Sequence, residues 1–185
     1  MSDAFRFADT DNGKTWLWVA LVSTASLVLS FSLACAVPLA AFAALAGLHM
    51  RKGAGLALVA AAWLVNQIVG YACLAYPLDA STIAWGFALL GSAAVAMGAA
   101  RLARGLTGSY APAMLAGFVA AFVGYEGTIY LSHFALGGGV EAYAPAVIIE
   151  VLRINALAFV GLLAAWRIGA AIGFAPALEP TPEAA

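Results

Sequence analysis

The chain has little charge. Of its 185 residues, 9% are charged and 65% are hydrophobic. A soluble domain carries about 25% charged and about 45–50% apolar residues. That shortage excludes an ordinary cytosolic enzyme and a disordered chain. Positive charge is not in excess either: the formal net charge is −1, which excludes a nucleic-acid partner held through phosphates. Two cysteines are too few for a disulfide scaffold. The sequence contains no phosphate-binding loop, no dinucleotide fingerprint, no Ser/His pair of an intramembrane protease and no zinc-protease helix motif. No nucleotide is therefore expected.

Long apolar runs remain. They fall at Trp16–Leu33, Pro38–Met50, Ala54–Tyr76, Thr82–Ala100, Pro112–Ser132 and Pro145–Ala171. A membrane helix needs roughly 20 apolar residues at about 1.5 Å each. The runs do not alternate apolar and polar, so barrel strands are excluded. The expectation is an all-α integral membrane protein with six transmembrane helices over 16–173, between tails at 1–15 and 174–185. Asp3, Asp9 and Asp11 argue against a cleaved signal, so the first helix is expected to be retained. The last segment, with Pro176, Pro180 and Pro182, reads as disordered. Trp16 to Met50 is 35 residues, about 52 Å as one helix and too long for one crossing. A break at Pro38, a bent connection over Ser32–Pro38 and a short or tilted second helix follow.

Seven of the eight basic residues fall at alternate ends of these spans: Arg6 with Lys14, Arg51 with Lys52, Arg101 with Arg104, then Arg167. The intervening loops at 33–37, 77–81 and 133–144 have none. The positive-inside rule then puts both termini in the cytoplasm.

Polar residues collect toward the opposite ends. Asn66, Gly70, Cys73 and Pro77 share one helical face, with Gln67 and Tyr71 on the neighbouring one and Gly70 leaving a notch. Glu126, Tyr130 and His133 share a face of the fifth span, and Glu150 and Arg153 stand one turn apart in the sixth. A charge inside a bilayer costs several kcal/mol and faces the bundle interior with a partner. Glu150 or Glu126 is the expected counter-ion of Arg153, either as a structural pair or as part of an outward-facing pocket. Cys35 and Cys73 have three uses open: a disulfide, inert packing, or a thiolate ligand for a soft metal centre. His49 lies at the basic end, so a zinc site or a bis-histidine haem is not expected.

Six short helices with both ends inside and an extracytoplasmic pocket resemble the S-components of energy-coupling-factor vitamin transporters. More narrowly, Leu33-Ala34-Cys35-Ala36-Val37-Pro38, the stretch Ala62-Trp63-Leu64-Val65-Asn66-Gln67-Ile68-Val69-Gly70-Tyr71, and Tyr76-Pro77 followed by Ala84-Trp85-Gly86 look like the BtuM family of cobalamin transporters. The likeness covers helices one to four. It implies a multi-pass protein of the bacterial inner membrane that binds cobalamin near the outer face. It also implies a cysteine sulfur as axial ligand to cobalt, with possible decyanation of the vitamin as the one enzyme-like step. Cys73 is the first choice of ligand and Cys35 the second. Tyr71, Tyr76, Trp85, Tyr125, Tyr130 and Tyr143 would supply flat walls and hydroxyls, with Asn66, Gln67 and His133 as polar groups of the lining. The implied partner is an energy-coupling module of transmembrane scaffold and ATPases. The first helix has Ala20-x-x-x-Thr24 where module-docking members have Ala-x-x-x-Ala, while Ala36, Ala40 and Ala44 lie further on; this fits members that occur without a dedicated module. Two alternatives are a smaller vitamin or metabolite anchored by Glu126 and Arg153 through an amine or carboxylate, and a membrane thiol oxidoreductase cycling Cys35 with Cys73.

Overall fold

The computed structural model describes residues 5–7, 12–33, 37–106, 108–138, 143–175 and 178–180. They form six helices: α1 (Asn12–Leu33), α2 (Leu39–His49), α3 (Lys52–Cys73), α4 (Ala80–Arg104), α5 (Tyr110–Leu136) and α6 (Pro145–Ala171). Two three-residue strands, β1 (Phe5–Phe7) and β2 (Leu178–Pro180), pair antiparallel, with Arg6 opposite Glu179. The C-terminal tail is thus not wholly without structure, as the prolines suggested: Leu178–Pro180 forms an edge strand, a place where proline is tolerated. Among the described residues four helices, α3 to α6, are long and apolar enough to cross a membrane.

The helix ends follow local chemistry. Asp79 caps α4 by accepting the Thr82 N–H at 2.8 Å. That donor holds the Asp79 carboxyl below the usual carboxylate range. Pro145 occupies the first turn of α6, where its missing N–H costs nothing. Gly137 ends α5 with φ 74°, a conformation that favours glycine.

The short second helix is not one wall of the bundle but its axis. Every residue from Val37 to Met50 is buried, and α3, α4, α5 and α6 all pack on α2. Its sequence explains this. Leu39 to Gly47 has no polar side chain, and a helix apolar all round belongs inside. Small residues let neighbours approach closely. At Gly47 an added Cβ would lie 2.5 Å from the backbone oxygen of Met97 and 2.9 Å from the Ala100 methyl. The outer helices add their own pairs: α4 packs along α5, and α1 along α3. Trp18 of α1 meets Trp166 of α6 edge-on at 5.3 Å.

A helix of 11 residues is about 16 Å long and has orphan backbone groups at both ends. The neighbours satisfy several of them. At the start, the Ala41 N–H donates to Oδ1 of Asn155 in α6 at 3.0 Å, while Asn155 Nδ2 donates to Val151 O of its own helix at 3.0 Å. At the end, Arg104 Nη1 donates to Leu48 O at 3.0 Å, and Arg101 Nη2 donates to Met50 O. His49 Nε2 is 3.1 Å from the Tyr110 hydroxyl and its ring lies 4.9 Å from that of Trp166. The Arg167 guanidinium sits 4.6 Å over the Tyr110 ring. Lys14 comes near Gly173. Basic residues from α1, α4 and α6 therefore meet the rest of the chain at the end where α2 finishes and α3 begins.

Asn155→Leu keeps the side chain near its size but removes the inter-helix acceptor of the Ala41 N–H, which is then left with Pro38 O at 3.0 Å alone. The expected loss is about 1–3 kcal/mol of stability, read as a lower Tm in detergent. Gly47→Ala is expected to lower Tm as well, because the new methyl meets backbone rather than a side chain able to turn away.

Candidate functional site

The expected site residues fall into three places. The first is the end of α3. Cys73 is its last residue and carries an exposed free thiol. Two residues later Ala75 takes a left-handed conformation, φ 55°, which costs an L-residue about 1 kcal/mol. This turn brings the Tyr76 N–H to Gly70 O at 3.1 Å and lays the Tyr76 ring over Gly70, where a Cβ would come within 2.5 Å of the ring. The notch expected at Gly70 is thus occupied by Tyr76. Tyr71 meets the same ring edge-on at 6.1 Å.

Of the polar pair below, Gln67 belongs to the packing of α3 on α4. Asn66 is buried. Gln67 lies against Gly86, where an added Cβ would sit 2.9 Å from its Oε1. Trp63 Nε1–H donates to Gly86 O at 2.6 Å. Glycine at 86 leaves the room that both side chains use.

The second place is a cavity of about 440 Å3 beside the C-terminal half of α5 and the start of α6, lined by Phe122, Glu126, Gly127, Tyr130, Tyr143 and Ile148 among others. Tyr130 and Tyr143 meet edge-on at 5.1 Å, and the Tyr143 hydroxyl donates to Ile129 O at 3.2 Å. Burial, followed by the nearby Glu126 carboxylate and Tyr130, pushes the Tyr143 hydroxyl above its ordinary value, so it stays a neutral donor. His133 stands at the Tyr143 ring, 5.5 Å between centroids. His133 and Trp85 both approach Gly138, where an added Cβ would lie 3.1 Å and 3.6 Å from them. Tyr125, one residue before Glu126, turns into the core instead. Phe122, Glu126 and Tyr130 recur every fourth residue, which extends the Glu126–Tyr130–His133 face by one turn; Ile148 of α6 had no comparable signal.

The third place corrects an expectation. Arg153 does not point into the bundle. Its Nη2 contacts Glu150 Oε1 at 2.6 Å, and the two side chains are 66% and 52% exposed. Glu150 is the counter-ion, and Glu126 is left in the cavity with no part in that pair. Asn155, two residues on and about 200° around the helix, is the inward-facing group; spacing alone does not single it out as the acceptor for the Ala41 N–H of α2.

Cys35 lies outside the described residues. Among the described residues no three His, Cys, Asp or Glu side chains gather to hold a bare metal ion. No family model matches the chain, and no curated protein or solved structure is significantly similar to it. What the fold and composition define is a class, an all-helical protein of membrane type with polar and aromatic side chains gathered at the ends of α3 and α5 and the starts of α4 and α6.

Ala75→Gly removes the left-handed penalty at the turn after Cys73. It is expected to raise Tm by the equivalent of up to about 1 kcal/mol, whereas the β-branched Ala75→Val is expected to lower it.

Proposed function

We propose that this chain is a substrate-capture subunit of a bacterial inner membrane, with six spans and both termini cytoplasmic. Its substrate in this reading is cobalamin, held at the outer end with the Cys73 sulfur as axial ligand to cobalt. The observation that carries the reading is the position of Cys73. α3 begins at Lys52, beside Arg51, and ends at Cys73 after 22 residues, a length of about 33 Å against about 30 Å of hydrocarbon. An exposed thiol therefore stands one bilayer thickness from the basic end, which the positive-inside rule assigns to the cytoplasm. Tyr71 and Tyr76 beside it offer flat faces to a macrocycle, as the resemblance to BtuM proteins implies. A substituted corrin is too broad for the α5–α6 cavity, so in this reading it lies across the bundle end.

A thiolate is a soft ligand suited to such a centre. Binding on one face of the corrin, it donates electron density to cobalt and weakens the bond to cyanide on the opposite face. Cyanide then leaves as an anion with its bonding pair, and cobalt keeps its oxidation state. The chain has no nucleotide motif, so energy for release would come from a coupling module or from the cell's consumption of the vitamin. α2 itself covers only about 16 Å, about half the hydrocarbon thickness.

Purified protein from cells grown with cobalamin is expected to show a corrinoid absorption band that shifts in Cys73→Ser. A colourless protein that also fails to bind added cobalamin overturns the reading. A band unchanged in Cys73→Ser but shifted in Cys35→Ser moves the ligand to Cys35.

A further inference from the structure

The cavity beside α5 and α6 has a chemistry separate from the thiol. Glu126 is the only charged side chain on its described lining, and it stands among Phe122, Ile148 and the rings of Tyr130 and Tyr143. Arg153, the cation that the spacing offered to Glu126, is committed to Glu150 on an exposed face of α6. From this arrangement we infer that the cavity is a binding site for an organic ammonium group, with Glu126 as its counter-charge and Tyr130 and Tyr143 as its aromatic walls.

Three features carry the assignment. A carboxylate in an apolar wall attracts a cation far more strongly than one in water, and burying a charge without a partner is costly. Aromatic faces attract ammonium groups, most strongly where water is excluded. The volume of about 440 Å3 lies in the range of small-molecule sites. An acid is disfavoured by the same charge. A calcium-like ion wants six or more oxygen ligands, and this lining offers one carboxylate and two phenol oxygens. Val123 and Gly127 on the rim are exposed, so the cavity opens on the flank of the bundle. The ammonium group therefore has two sources with one chemistry, a dissolved amine or the headgroup of a lipid. The assignment does not rest on the cobalamin reading.

The full chain in detergent, titrated calorimetrically with choline, tetramethylammonium and 3,3-dimethylbutan-1-ol, tests it. The alcohol is the neutral carbon isostere of choline. Choline is expected to bind at least about tenfold more tightly than the alcohol, and Glu126→Gln is expected to abolish that difference. Tyr130 is 47% exposed, so Tyr130→Leu should fold normally and weaken choline binding several-fold; it carries the test if Glu126→Gln is misfolded. Arg153→Gln should bind as the parent does. In nanodiscs, loss of choline binding in phosphatidylethanolamine but not in phosphatidylglycerol identifies a lipid headgroup as the source, and equal binding in both identifies a dissolved amine. Equal affinity for choline and the alcohol, no binding of either cation, or full affinity in the folded variants overturns the inference.

Discussion

Everything in this bundle is arranged around the unmet backbone groups of one short helix. A membrane interior offers no water to the N–H and C=O groups at helix ends. A helix that spans the bilayer puts those ends in the interface. α2 has only 11 residues, and its whole length is buried among α3, α4, α5 and α6. Its termini must therefore be met by protein. Asn155 meets one, and Arg101 and Arg104 meet the other. The two arginines sit in the last turn of α4, where loop-side cations are expected on orientation grounds alone. Both also donate to carbonyls at the end of α2, so one pair of residues anchors the axis.

This arrangement decides where polar groups can gather. The axis is filled by alanine, leucine and Phe42. Polar function is pushed to the ends and flanks: the turn after Cys73, where Ala75 folds Tyr76 back over Gly70, and the opening beside α5 and α6. α6 packs mainly on α2 rather than on α5, which leaves room for the Glu126 cavity. Asn155 holds α6 to the axis at mid-length, while Ile148 and Tyr143 near its start face the open side.

The helical segments were legible because a low charge density leaves uninterrupted apolar runs. α6 was read to the residue, since Pro145 marks its first turn and the run ends where hydropathy falls. α4 and α5 extend beyond their apolar runs at both ends, because residues such as Ser81, Arg104 and Tyr110 remain helical, whereas α3 starts two residues earlier at Lys52 but stops at Cys73, three residues before Tyr76. The interior position of α2 had a signal, the absence of any polar face. Facing was the harder question. Arg153 and Asn155 are two residues apart and point to opposite sides of α6, and spacing alone gives their angle without saying which side is the core. The Glu126–Tyr130 face was legible from its i, i+4 period; the partners from Tyr143 and Ile148 depend on how α6 enters the bundle, which is a tertiary fact.

The borrowed termini of α2 also set an order of events in synthesis. Residues 39–49 leave the ribosome before Arg101, Arg104 and Asn155 have been made. When α2 is first delivered to the membrane, none of these partners exists, and its ends must be sheltered by the insertion machinery or remain near the aqueous edge. The arginines arrive with α4, and Asn155 comes only with the last helix. The bonds that Arg101, Arg104 and Asn155 make to α2 therefore form only after α4 and α6 have been made.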